Sequence, residues 1–124
     1  MKAIKTNMAP AAIGPYSQAI EANGMVFLSG QLPINPQTGE MPEGIEAQTR
    51  QSLTNARAIL TEAGLTMSDV VKTTVLLADI ADFAAMNSVY SEFFSEPFPA
   101  RSAFAVRDVP KGALVEIECI AVKR

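Results

Sequence analysis

The sequence predicts an α+β domain, a β-sheet with two helices packed on one face. Three observations carry this. Two segments with helical spacing, Ile45 to Ala63 and Phe83 to Phe94, flank a β-branched run from Val70 to Ala78. An apolar run, Met25 to Ser29, precedes them, and two strand-like segments, Arg101 to Val106 and Leu114 to Val122, close the chain. No internal repeat, low-complexity tract or linker interrupts the 124 residues. They therefore form one domain, 1–124, long enough to bury roughly two-thirds of its unfolded surface.

Taken in order, Met25-Val26-Phe27-Leu28-Ser29 is a short apolar run stopped by Gly30 and reads as a buried strand. Leu32 to Gly39 is dense in turn formers and reads as a loop. Thr49, Leu53, Ala56, Leu60 and Ala63 keep helical spacing, and Gly64 stands where a C-terminal cap belongs. Val70 to Ala78 reads as a central strand. Asp79 can cap a second helix, whose Phe83, Met86, Tyr90 and Phe93 or Phe94 make one apolar stripe, ended by Pro97 and Pro99. The last two strands read as an antiparallel hairpin joined by a turn around Asp108 to Gly112. With Val106 opposite Ala113, Arg101 faces Glu118 and Ala103 faces Glu116, all on one side of the sheet.

Alternation in the last strand separates two faces. Ala113, Val115, Ile117, Cys119 and Ala121 suit close packing under helices. Leu114, Glu116, Glu118, Ile120 and Val122 lie opposite, and that side is too apolar for water. The strand at 70–78 is likewise apolar on both sides. Two helices cover one face only, so the second is expected to be buried by other subunits in a closed homo-oligomer.

Composition removes whole classes of chemistry. With no histidine, Ser-His-Asp and Cys-His nucleophile systems, histidine-based zinc sites and histidine ribonuclease chemistry are excluded. One cysteine excludes thiolate zinc sites and an internal disulfide, and fits a reducing, cytoplasmic setting. A net charge of −3, with the ten basic residues scattered, argues against a nucleic-acid partner. The longest uncharged apolar run, Val75-Leu76-Leu77-Ala78, is too short to span a bilayer, and Met1 to Asn7 lacks the apolar core of a signal peptide. No metal site is expected.

Catalysis must then use arginine, carboxylates, tyrosine, serine, asparagine, lysine, backbone groups and water. Arg101, Glu116 and Glu118 stand out, because ions on otherwise apolar strands cost several kcal/mol each unless paired or used. A structural Arg–Glu bridge is one reading. The other follows from the excess of acid: Arg101 can satisfy one carboxylate bidentately, which leaves a second glutamate to hold or deprotonate a water. An arginine at an open interface also makes a clamp for a substrate carboxylate. Tyr16, in a Gly-Pro loop, either plugs a rim or closes a site. Gly30 is a turn glycine or a place where a ligand reaches backbone N–H groups. Asn87 is a solvated helix residue or a ligand contact, and Cys119 reads as an inert core thiol.

Three separated motifs then converge: Ala9-Pro10-Ala11-Ala12-Ile13-Gly14-Pro15-Tyr16-Ser17-Gln18-Ala19, Leu28-Ser29-Gly30-Gln31-Leu32-Pro33, and Pro99-Ala100-Arg101-Ser102 with Pro110-Lys111-Gly112-Ala113-Leu114-Val115-Glu116-Ile117-Glu118. In order and spacing, over essentially the whole chain, they resemble the Rid family of enamine/imine deaminases, also called YjgF. The resemblance implies a chorismate-mutase-like mixed sheet, assembled as a homotrimer with sites between subunits. It implies cofactor-free hydrolysis of 2-imino acids, such as 2-iminobutanoate and 2-iminopropanoate, to 2-oxo acids and ammonia. It implies that Arg101 binds the substrate carboxylate, Glu116 positions the water and Tyr16, from a neighbouring subunit, closes the cleft. Ser29, Gly30, Asn87 and the backbone of Ala103 complete the implied site. Many relatives carry Cys where this chain has Ala103, so thiol reactivity is not expected to transfer. A non-enzymatic 2-oxo-acid-binding regulator, or an endoribonuclease acting as a translation inhibitor, are the alternatives.

Overall fold

In a computed structural model describing residues 1–124, the chain forms β1 (Lys2–Ile4), β2 (Ala19–Ala22), β3 (Met25–Gln31), α1 (Ile45–Glu62), β4 (Val70–Leu77), α2 (Phe83–Tyr90), β5 (Ala100–Ala105) and β6 (Val115–Val122). The strands make one mixed sheet of six, ordered β1-β2-β3-β6-β4-β5. Only β4 and β5 pair in parallel. Both helices lie on one face, as the α+β reading expects: α1 on β3 and β6, with α2 beside it. No helix is long and apolar enough to cross a membrane.

Local chemistry explains the elements. Helix α1 buries Thr49, Leu53, Ala56, Ile59 and Leu60 along one stripe. It ends at Gly64, whose φ of 78° lets its N–H reach the Thr61 carbonyl at 3.0 Å while the Leu65 N–H reaches that of Leu60 at 2.8 Å. Asp79 caps the short turn leading into α2, its Oδ1 accepting from the Ala81 N–H at 2.9 Å. Helix α2 stops at Tyr90, several residues before the prolines that were expected to end it.

The core is the two-residue alternation of the central strands seen from the helix side. Val26, Leu28, Thr73, Val75, Leu77, Val115, Ile117, Cys119 and Ala121 are all buried there. The opposite face carries Phe27, Phe104, Leu76, Ile120 and Val122, with Phe27 41 % and Phe104 47 % exposed. This open face has no covering element within the subunit.

Three expectations are corrected. Strand β3 does not stop before Gly30 but runs on to Gln31. Strands β1 and β2 went unforeseen, being three and four residues of weak strand formers such as Lys, Ala and Glu. Most important, β5 and β6 form no hairpin, because β4 lies between them. Residues 70–77 are β-branched enough to take a partner on each side, and α2 supplies the crossover that a parallel β4–β5 pair requires. Through β4, Arg101 aligns with Thr73 and Cys119, whereas Ser102 aligns with Thr74 and Glu118. Arg101 and Ala103 therefore face the helices, and Glu116 and Glu118 face the open side.

Cys119 is 1 % exposed, and burial, with the nearby Glu118 second, pushes its thiol up to about 12. It is held as an inert packing group. Cys119→Ser is expected to cost about 1–3 kcal/mol for burying a poorly paired hydroxyl, read as a lower denaturation midpoint, while turnover per folded molecule stays unchanged.

Candidate active site

The residues singled out by sequence fall into two constellations on opposite faces. The first gathers at the edge of the sheet. Arg101 projects from β5 toward α2, where its Nη1 donates to Asn87 Oδ1 at 2.6 Å. Its guanidinium carbon lies 4.8 Å from the centre of the Tyr90 ring and 5.4 Å from that of Phe83. The four ion pairs of the subunit are Arg50–Glu92, Arg107–Asp108, Lys123–Glu21 and Arg124–Asp69. Arg101 belongs to none of them, so the bridge to Glu118 is not formed and the outer guanidinium donors stay available. Ala103, two residues on, packs partly against the core. It lies on the edge strand, where one row of backbone groups has no partner.

The second constellation sits on the open face where β3 meets β6. Leu28 pairs with Cys119 and Gln31 with Ile117, so Ser29 and Gly30 together oppose the single residue Glu118. Such a bulge re-aims the strand. At the bulge the Glu116 carboxyl folds down onto the Gly30 backbone: a Cβ built on Gly30 would stand 2.9 Å from its Cδ and Oε2. Gly30 is thus neither a strand stop nor a turn glycine; it is the gap that receives a carboxylate. Burial first, and the charge of Glu118 second, raise the pKa of the Glu116 carboxyl from its ordinary value.

A loop is strapped to this bulge. Ser29 Oγ donates to the Ser17 carbonyl at 2.6 Å, and the Ser29 N–H donates to that of Gln18 at 2.9 Å. The buried Gln18 carboxamide accepts from the Thr6 N–H at 2.8 Å and donates to the Pro10 carbonyl at 2.8 Å, which fixes the N-terminal arm. These bonds place Tyr16, 55 % exposed, at a cleft of about 510 Å³ shared with Gly30, Gln31 and Lys111. Asn55 Nδ2, from α1, holds the loop after β3 by donating to the Leu32 and Ile34 carbonyls at 3.1 and 2.9 Å. Gln18, Asn55 and Lys111 were not foreseen as parts of this region. Only Lys111 carries a structural signal, a left-handed φ of 60° that is costly for any residue with a Cβ.

Arg101 and Asn87 therefore stand together, with Ala103 on the same strand; Glu116 stands with Gly30, Tyr16 shares a cleft with Gly30, and Ser29 ties down the loop beside Tyr16. The two sets lie on opposite faces, with β5 and β6 separated by β4. No three thiol or carboxylate groups converge as a metal site would need.

Residues 6–123 match the family model described as Endoribonuclease L-PSP. The chain belongs to that family. Over 126 aligned residues it is 52 % identical to the 2-iminobutanoate/2-iminopropanoate deaminase of Escherichia coli K12, covering 99 % of this chain and 98 % of that protein. The structure superimposes with a TM-score of 0.96 on E. coli TdcF with bound serine, at 47 % identity and with both chains fully covered. It matches the E. coli YjgF gene product equally well, at 51 % identity and again over both full chains. Family membership confirms the resemblance drawn from the three motifs, and the neighbours share the mixed sheet with two helices.

Gly30→Ala tests the carboxylate seat. The nearest atoms to the new methyl belong to the Glu116 side chain, Cδ and Oε2 at 2.9 Å and Cγ at 3.1 Å, so the side chain can swing away and the stability loss should stay within about 0.5–3 kcal/mol. The carboxyl must move, and turnover should fall at least tenfold. Wild-type turnover in a well-folded Gly30→Ala variant would remove Glu116 from the site.

Proposed function

We propose that this chain is a cofactor-free, cytoplasmic 2-iminobutanoate/2-iminopropanoate deaminase that works as a homotrimer. One observation carries the proposal: Arg101 and Glu116, each without an ion-pair partner, lie on opposite faces of a sheet whose open side is apolar. A neighbouring subunit that covered the open face could bring its own Arg101 edge to the Gly30–Glu116 bulge. Burial of Phe27, Phe104, Ile120 and Val122 would drive that contact. The activity named for the E. coli relative and the serine bound to TdcF, a small α-amino carboxylate, agree with such a site.

In the proposed reaction, Arg101 anchors the carboxylate of the protonated imine, supported by Asn87 and by backbone groups near Ala103. Glu116 accepts a proton from a water held over Gly30 while the water oxygen attacks the C=N carbon. That proton passes from Glu116 to nitrogen, the C–N bond breaks as the carboxylate takes the remaining hydroxyl proton, and a 2-oxo acid and ammonia leave, the last proton going to solvent. The iminium is already electrophilic, so positioning supplies much of the rate. Tyr16 closes the cleft against bulk water. The endoribonuclease in the family's description fits this chain less well, since the net charge is −3 and the ten basic residues are scattered along the sequence.

The test generates the imine with a threonine dehydratase and times 2-oxobutanoate release with and without the protein, alongside sedimentation. Faster release by a trimer supports the proposal. Binding of 2-oxobutanoate without acceleration would make the protein a metabolite binder, and a stable monomer at micromolar concentration would sink the shared site.

A further inference from the structure

We infer that Phe83 and Tyr90 are positioning residues for Arg101, a bracket of ring faces that aims the guanidinium while leaving its charge free for a substrate carboxylate. This rests on the proposed role of Arg101. Phe83, Asn87 and Tyr90 occupy one stripe of α2, spaced four and then three residues apart, so all three side chains present to the same edge of the sheet. In sequence Phe83 and Tyr90 read as part of an apolar core stripe that Asn87 interrupts, yet all three face Arg101. The rings lie 5.4 and 4.8 Å from the guanidinium carbon, and Asn87 Oδ1 accepts from Nη1 at 2.6 Å.

The bracket is itself braced. The Tyr90 hydroxyl and Thr73 Oγ1 share a hydrogen bond of 2.7 Å inside the core. Thr73 is the residue that pairs with Arg101 in the β4–β5 register. The same point on the sheet therefore roots Arg101 and fixes the ring over which its side chain lies. Tyr90 is also tilted against Phe94, with ring centres 4.6 Å apart. A long exposed side chain on an edge strand would otherwise sample many rotamers. A carboxylate could hold it, but would neutralise it and compete with the substrate. Ring faces attract the cation without taking its hydrogen-bond donors, and the single neutral acceptor, Asn87, takes only one.

Phe83→Leu, Tyr90→Leu and Tyr90→Phe test the bracket, with Arg101→Ala as the control, read by affinity for 2-oxobutanoate, by kcat and KM separately, and by the NMR shift of the Arg101 Nε–H. Phe83→Leu and Tyr90→Leu should each weaken 2-oxobutanoate binding and raise KM about fivefold to tenfold. The Nε–H should also lose its ring-current shift. Tyr90→Phe keeps the ring face and should lose no more than about threefold. A purely structural role would lower melting temperature and leave KM and the Nε–H shift alone. Phe83 is only half-buried, so Phe83→Leu carries the test if Tyr90→Leu does not fold. If the folded leucine variants bind 2-oxobutanoate as wild type does while Arg101→Ala does not, the bracket is overturned and the role of Arg101 stands. If Arg101→Ala also binds normally, both fall.

Discussion

Glu116→Gln is expected to lower imine turnover at least about a hundredfold while 2-oxobutanoate still binds. The amide keeps the shape that fits over Gly30 and can still hold a water, but it is a poor base. Glu118→Gln should leave turnover at neutral pH near wild type, because Glu118 lies opposite the Ser29–Gly30 bulge and makes no ion pair with Arg101. Its effect should appear in the pH profile. Burial and then Glu118 raise the Glu116 carboxyl, and in the proposed reaction the working form is the anion, so turnover should fall as pH drops through that raised pKa. Removing the Glu118 charge removes one of the two causes and should move the acid limb to lower pH.

Folding follows the same sign. An acid whose pKa is raised by folding holds its proton more tightly in the folded state, so its anion costs stability above the raised pKa and costs nothing below the ordinary carboxylate pKa. Glu116→Gln should therefore melt no lower than wild type at neutral pH, with any advantage gone in acid. If Glu118→Gln abolishes turnover and Glu116→Gln does not, the roles are reversed.

The alternation of apolar residues told the most. It placed Val115, Ile117 and Cys119 under helices and left Ile120 and Val122 on an uncovered face, because side-chain direction along a strand follows from the backbone alone. The end of α1 was equally readable, since only a residue free to adopt positive φ suits the position of Gly64. Strand partnership was not readable in the same way. Arg101 to Val106 and Leu114 to Val122 look like a hairpin locally, but the β-branched strand earlier in the chain competes for both, and that contest is decided by tertiary packing. The error mattered: it placed Arg101 on the face of Glu116 and Glu118, when it belongs with Asn87. Gly30 was ambiguous for a related reason. Whether a glycine marks a turn, a bulge or a close approach depends on what arrives from another strand, here the Glu116 carboxyl.

Arg101→Ala is expected to weaken 2-oxobutanoate binding about a hundredfold, in line with losing charge-assisted hydrogen bonds to a carboxylate, and to abolish measurable turnover. The fold should not suffer. Arg101 is exposed, forms no ion pair, and contributes to packing only through the faces of Phe83 and Tyr90. Arg101→Lys should restore little, because an ammonium is a point charge that cannot span two carboxylate oxygens while also reaching Asn87. Isothermal titration with 2-oxobutanoate, the dehydratase-coupled rate and sedimentation on the same preparations separate the readings. Lost binding in an intact trimer identifies the carboxylate clamp. A trimer that falls apart in Arg101→Ala would instead make the guanidinium a strut between subunits, and the observed loss of turnover would then follow from a site that no longer assembles.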